Sequence, residues 1–96
     1  MRYMKVAWLH DDPDEPIMIF CECDDNGWET RKIEIYRGGR VTRAHKDGAS
    51  EGLMLSVEPI PSLAEINLQS QFRAVEISEI EFNYAWQSSD GTSLLD

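Results

Sequence analysis

Met18-Ile19-Phe20-Cys21-Glu22-Cys23-Asp24-Asp25-Asn26-Gly27-Trp28-Glu29-Thr30-Arg31-Lys32-Ile33-Glu34-Ile35 is the stretch whose reading decides the fold. Asn26-Gly27 lies between two runs of strand-forming residues. It predicts a two-residue type I′ hairpin turn, in which both central residues take positive φ. Such a turn fixes the register, because a slip of one residue would send every side chain to the other face. Phe20 then opposes Ile33, Met18 opposes Ile35, Glu22 opposes Arg31 and Asp25 opposes Trp28. Turn chemistry and hydrophobic pattern agree. Met18, Phe20, Ile33 and Ile35 share a face, and Glu22 and Arg31 form a cross-strand ion pair.

Outward from this hairpin, Gly38-Gly39 predicts a second two-residue turn. It sets Ile35 opposite Thr42, Glu34 opposite Arg43 and Ile33 opposite Ala44. Residues 2–9 alternate as a strand, with Met4, Val6 and Trp8 on one side. The segment His10-Asp11-Asp12-Pro13-Asp14-Glu15-Pro16 is a loop. Leu53-Met54-Leu55 is the candidate for a last strand. Two capping boxes follow, Ser62-Leu63-Ala64-Glu65 and Ser78-Glu79-Ile80-Glu81. Ile77 and Phe82 are placed as the staple of the second helix, with Ile80, Tyr84 and Ala85 as its buried stripe and Trp86 near its end.

The fold expected is α+β: an antiparallel β-meander of four to five strands with two C-terminal helices on one face. One domain spans 1–88, followed by a flexible C-terminal tail over 89–96. The core face comprises Met4, Val6, Trp8, Met18, Phe20, Ile33, Ile35 and Ala44. The other face holds Tyr3, Ala7, Leu9, Ile17, Ile19, Cys21, Cys23, Tyr36 and Val41. A contiguous apolar face of this kind marks a partner or dimer surface, unless the C-terminal segment folds over it.

The 96 residues carry a net charge of −9, unevenly spread. Residues 1–30 hold two basic and eight acidic groups. Residues 31–46 hold six basic groups against Glu34, and residues 47–96 hold Arg73 against nine acids. An acidic field repels phosphate and favours a basic partner over nucleic acid. The longest apolar run, Ile17 to Cys21, is far short of the roughly 18 residues of a membrane span. The opening Met1 to Leu9 meets His10-Asp11-Asp12 too soon for a secretory segment, which predicts a cytoplasmic protein. Cys21 and Cys23, two apart on one strand, make poor disulfide geometry and read as small buried hydrophobes.

No motif carries a recognisable reaction. There is no nucleophile elbow, and Arg37-Gly38-Gly39-Arg40 joins strand to strand, unlike a phosphate loop. Cys23 and His45 fall on one face in the expected register, two strands apart, without further support for catalysis. His10, Asp11, Asp12, Asp14 and Glu15 form a dense acidic loop with three readings: a solvated surface, an electrostatic contact for a basic partner, or oxygen ligands for a hard cation. No catalytic, cofactor-binding or metal residue is assigned. The expected partner-binding residues are Asp11, Asp12, Asp14, Glu15, Ile17, Ile19, Tyr36 and Val41.

Several runs together carry a family likeness. They are Trp8-Leu9-His10-Asp11 with Asp14-Glu15-Pro16, and Arg31-Lys32-Ile33-Glu34-Ile35-Tyr36 with Gly39. Further on come Pro59-Ile60-Pro61-Ser62-Leu63, Glu65-Ile66, Glu76-Ile77-Ser78 and Phe82. Over residues 3–87 the chain resembles a family of short bacterial proteins known only as a domain of unknown function. The resemblance implies no catalytic residues. In size, charge and type, though not in motif, the chain is also similar to the immunity proteins of bacterial toxin systems. The function expected is a small acidic protein-binding module, with an immunity protein against a basic toxin as its concrete form. A small ligand-binding protein and a homodimeric regulatory protein are the alternatives.

Overall fold

A computed structural model describes residues 1–49 and 53–95. The strands are β1 (Arg2–Trp8), β2 (Met18–Cys23), β3 (Glu29–Ile35), β4 (Val41–His45), the two-residue β5 (Gly48–Ala49) and β6 (Phe72–Glu76). The helices are α1 (Leu63–Asn67) and α2 (Glu79–Gln87), and a 3-10 turn spans Gly91–Leu94. The strands form one sheet in the order β5-β4-β3-β2-β1-β6, antiparallel at every pairing. The α+β meander is therefore present, with six strands in place of four to five. Leu53–Leu55 is not a strand. The missed strand is β6, which alternates Phe72 and Ala74 with Arg73 and Val75 between the two helices. Among the described residues no helix is long and apolar enough to cross a membrane.

From Met18 to Glu22 the β2–β3 register is the expected one: Met18 opposes Ile35, Phe20 opposes Ile33 and Glu22 opposes Arg31; nearer the turn Asp24, and not Asp25, pairs with Trp28. The turn that delivers it is different. Gly27 N–H donates to the Asp24 carbonyl at 3.0 Å and Asp24 N–H to the Trp28 carbonyl at 2.9 Å, which makes a three-residue loop. Gly27 sits at φ 87°, the left-handed position this loop needs. A bulge between Glu22 and Cys23 leaves Thr30 as the extra residue and restores the register.

The second hairpin repeats the three-residue loop. Gly39, at φ 94°, donates to the Tyr36 carbonyl, and Tyr36 donates to the Arg40 carbonyl. No bulge corrects it. Ile35 faces Val41, Ile33 faces Arg43 and Arg31 faces His45, one residue away from the expected pairing. The slip turns β4 over. Arg43 arrives on the face of Ile33, while Thr42 and Ala44 go to the other.

The expected single core face is corrected in the same way at β1. A long loop over 9–17 joins β1 to β2, so no tight turn dictates their register. Tyr3 opposes Glu22, Lys5 opposes Phe20 and Ala7 opposes Met18. Tyr3 and Ala7 therefore join Met18, Phe20, Ile33 and Ile35. Met4 and Val6 pack on the opposite face with Cys21, Cys23 and Ala74. A sheet apolar on both faces needs two covers, and the helices divide between them. Phe82 and Ala85 of α2 close the Tyr3 face, and Ile66 of α1 closes the Met4 face. The helices are not on one face as expected.

Both helices start at the predicted caps. Ser62 and Glu65 form the full capping box, whereas Ser78 accepts from Glu81 N–H without the reciprocal bond, the Glu81 carboxylate lying 3.8 Å from Lys5 instead. The orientation of α2 differs from the expectation. Phe82 and Ala85 are fully buried, whereas Ile80 is 83% and Tyr84 66% exposed. With Ile77 and Phe82 in the same core cluster as the staple requires, the inward stripe runs through Phe82, Ala85 and Trp86. At the end of α1, the Asn67 side chain both donates to the Ala74 carbonyl and accepts from its N–H, at 2.9 and 2.7 Å. It stands in for a neighbouring strand and blunts the free edge of β6.

The segment expected to be a flexible tail is docked from Asp90 to Leu95, so the domain does not end at residue 88; Asp96 lies outside the described residues. Gly91 donates to the Gly39 carbonyl at 2.9 Å, and Leu94 enters the core of the α2 face. A Cβ on Gly91 would stand 2.6 Å from Ile35 Cγ2 and 2.7 Å from the Gly39 carbonyl oxygen. Gly91→Ala should therefore lower stability by about 1–3 kcal/mol in urea unfolding, whereas a mobile tail would tolerate it. In the same assay Phe82→Ala should cost about 3–5 kcal/mol and Ile80→Ala no more than about 0.5 kcal/mol.

Candidate functional site

The basic segment 31–46 is largely occupied within the molecule. Arg31 grips Glu22 with two bonds, Nε to Oε1 at 2.8 Å and Nη2 to Oε2 at 2.6 Å. The same Nη2 donates to Asn83 Oδ1 at 2.9 Å. The guanidinium lies over the Phe82 ring at 4.7 Å and the Trp86 ring at 5.0 Å. Arg31 thus ties β2 to α2 by charge, hydrogen bond and cation–π contact together. The Arg31 bonds hold the Glu22 carboxyl down at about 2, against the opposing effect of its burial, and the Thr30 hydroxyl helps. Burial, reinforced by Glu22 and Glu79, pushes the Tyr3 hydroxyl up to about 12, and that hydroxyl donates to Glu79 at 3.1 Å.

The neighbouring cations are engaged too. Arg43, turned to this face by the β4 slip, donates to the carbonyls of Trp86 (2.7 Å) and Ser88. Helix α2 has no basic residue in its last turn, so a cation from the sheet satisfies its C-terminal carbonyls. Arg37 donates to the His10 carbonyl at 2.8 Å, Lys32 lies 3.6 Å from Glu29, and Arg40 stacks over Tyr36 at 4.0 Å. A cleft of about 520 Å³ opens beside Arg31, lined also by Met1, Glu22, Thr30, His45, Lys46, Asp47 and Trp86. Arg31 is paired with Glu22 there, and Lys46 and Asp47 add one charge of each sign, so the cleft selects neither sign of ligand.

The acidic loop is organised around His10. Its Nε2 meets the Pro16 carbonyl at 2.7 Å and its Nδ1 accepts from Asp12 N–H at 3.0 Å, a pair of partners that suits the neutral Nε2–H tautomer. Asp12 Oδ1 accepts from Asp14 N–H at 2.9 Å, and Trp8 packs against the imidazole at 4.5 Å. Asp11, Asp12, Asp14 and Glu15 are all exposed, and none forms an ion pair with another described residue. No three acidic, His or Cys side chains among the described residues converge as metal ligands. Behind the loop lies a cleft of about 440 Å³, whose walls include Ala7, Leu9, Ile17, Met18 and Leu95, with Asp11 and Arg37 at its rim.

Of the expected partner-binding residues, the structure brings Asp11, Asp12, Asp14, Glu15 and Ile17 together. Ile19 packs in the core on the α1 face, Val41 packs on the α2 face, and Tyr36 lies beneath Arg40. No single open apolar face unites them, because β1 and β4 take registers other than those expected. Cys23 faces α1 while His45, paired with Arg31, faces α2, so the two do not meet. Both thiols are buried and free; burial first, and Glu29 as well, pushes both upward. Sequence reasoning missed the exposure of Ile80 and Tyr84. The missing base in the last turn of α2 was the available hint that a distant cation must cap it.

A family model described as a domain of unknown function, DUF6881, matches residues 2–91 of the chain. No curated protein and no solved structure matches it.

The folded-state value of Glu22, about 2, lies below its unfolded value of about 4.3. Its contribution to stability is therefore fully present above pH of about 4.5 and is lost as pH falls toward 2. Glu34, pushed up mainly by burial, acts in the opposite sense, adding stability as pH falls. Urea unfolding of wild type and Glu22→Gln from pH 7 to 2.5 isolates the first effect. The variant should be about 3 kcal/mol less stable at pH 7, with the gap closing on acidification.

Proposed function

The chain belongs to the DUF6881 family, and from that premise we propose that it is a small acidic protein-binding module that captures a basic protein. The observation that carries this reading is the division of charge. The arginines of the β3–β4 hairpin are engaged with internal partners, whereas Asp11, Asp12, Asp14 and Glu15 face outward without an ion pair among the described residues. The surface left to a partner is thus more acidic than the middle of the sequence suggests. Acidic patches of this kind accelerate encounter with a basic surface and reject phosphate-bearing partners. In its concrete form the module is an immunity protein held against a basic toxin in the bacterial cytoplasm, a compartment that suits two free thiols.

The test is a pull-down from the native cell at low and high salt, with the wild-type chain beside a variant carrying Asp11→Lys, Asp12→Lys, Asp14→Lys and Glu15→Lys. The wild type should enrich one basic protein. The charge-reversed chain should bind that protein at least about tenfold more slowly at low salt, and the gap should narrow as salt rises. Equal association by both chains would remove the loop from the binding surface and with it this reading.

A further inference from the structure

Helix α2 carries a second apolar feature that folding does not use. Its inward stripe is complete in Phe82, Ala85 and Trp86, yet Ile80 and Tyr84 stand 83% and 66% exposed on the outside. They are four residues apart on a helix and so are direct neighbours. Leu68, Val57 and Met54 are exposed as well, but none lies within a helix or strand. Val75 is 51% exposed on β6 but is a single residue there, whereas the α2 pair sits on a helix fixed at both ends, by the Ser78 cap at its start and by Arg43 at its last carbonyls. An apolar pair on a rigid helix loses little entropy on binding, and tyrosine is among the residues that dominate interface energetics.

The surroundings give the sign of the partner. From Ala74 to Leu95 the chain has Glu76, Glu79, Glu81 and Asp90 and no lysine or arginine. The cations with described contacts to the helix are each engaged: Lys5 lies 3.8 Å from Glu81, Arg31 is paired with Glu22, and Arg43 donates to the carbonyls of Trp86 and Ser88. The pair is therefore an apolar anchor in an acidic field.

We propose that Ile80 and Tyr84, with Glu76 and Glu79 close by in the sequence, form the anchor by which α2 docks a basic partner protein, in an apolar groove bordered by lysines or arginines. This inference rests on the acidic-module reading and names the surface that holds the partner once the 11–15 loop has attracted it.

The experiment places a photoreactive benzophenone amino acid at Ile80, Tyr84, Asp12 or Leu68 in the full chain and irradiates it in the native cell. Thermal unfolding checks that each variant folds, which the exposure of all four positions favours. Adducts to one basic protein should form at 80 and 84 and not at 68. With that protein purified, the pair Ile80→Ala and Tyr84→Ala should weaken binding by tenfold or more without lowering stability. Adducts to a second copy of the chain, adducts to a protein that is not basic, or equal yield at 68 would overturn the anchor. An adduct at 12 with none at 80 or 84 would overturn the anchor and leave the acidic module standing. No adduct at any position would overturn both.

Discussion

The contact between Glu22 and Arg31 is the point from which the rest of the molecule is organised. A carboxylate with a side chain only 8% exposed is costly to bury unless a cation meets it with good geometry. The β2–β3 register supplies that cation directly across the strands. Having neutralised Glu22, the guanidinium also accepts the rings of Phe82 and Trp86 against its plane and donates to Asn83. The position of α2 thus depends on a pairing set in the hairpin far earlier in the chain. That pairing in turn leaves Ile80 and Tyr84 pointing outward.

The same economy governs the wider charge pattern. Six of the nine basic residues fall between residues 31 and 46, a segment that in isolation resembles a polyanion site. The structure uses its arginines as internal fasteners: Arg31 to β2 and α2, Arg43 to the end of α2, and Arg37 to the backbone of the acidic loop. A cation that caps a helix or bridges to a buried carboxylate contributes little to the field a partner meets. Apart from the Asp12 carboxylate, which accepts from Asp14 N–H, the acids of the 11–15 loop have no such use among the described residues, and their field reaches solvent.

What the sequence made legible was whatever strong local chemistry dictated. The β2–β3 register, the Glu22–Arg31 pair and the Ser62 and Ser78 caps were all readable, because each rests on side chains close in sequence or fixed across one hairpin. The errors came where no such constraint acts. The Gly38-Gly39 turn was read one residue too short, since two glycines allow a two-residue loop and the chain uses only Gly39 at positive φ. No turn fixes β1 against β2, so the choice between Met4, Val6, Trp8 and Tyr3, Ala7 as partners of Phe20 was open in the pattern. Both sets are apolar because both faces are covered. The rotation of α2 was hidden for the same reason: Ile80 and Tyr84 fit a helical stripe as well as Phe82 and Ala85 do. The docking of Gly91 depends on a close approach to Gly39 and Ile35 that no local signal announces.

The central claim is that the Glu22–Arg31 pair is an interior fastener that seats α2, rather than a surface ion pair. A double-mutant cycle over Glu22→Gln and Arg31→Met, read by urea unfolding with native-state hydrogen exchange at α2, tests it most directly. The account predicts a coupling above about 2 kcal/mol, together with a selective loss of protection in α2 amides when Arg31 is replaced. A coupling below about 0.5 kcal/mol, with α2 protection unchanged, is what an exposed pair would give and would contradict it.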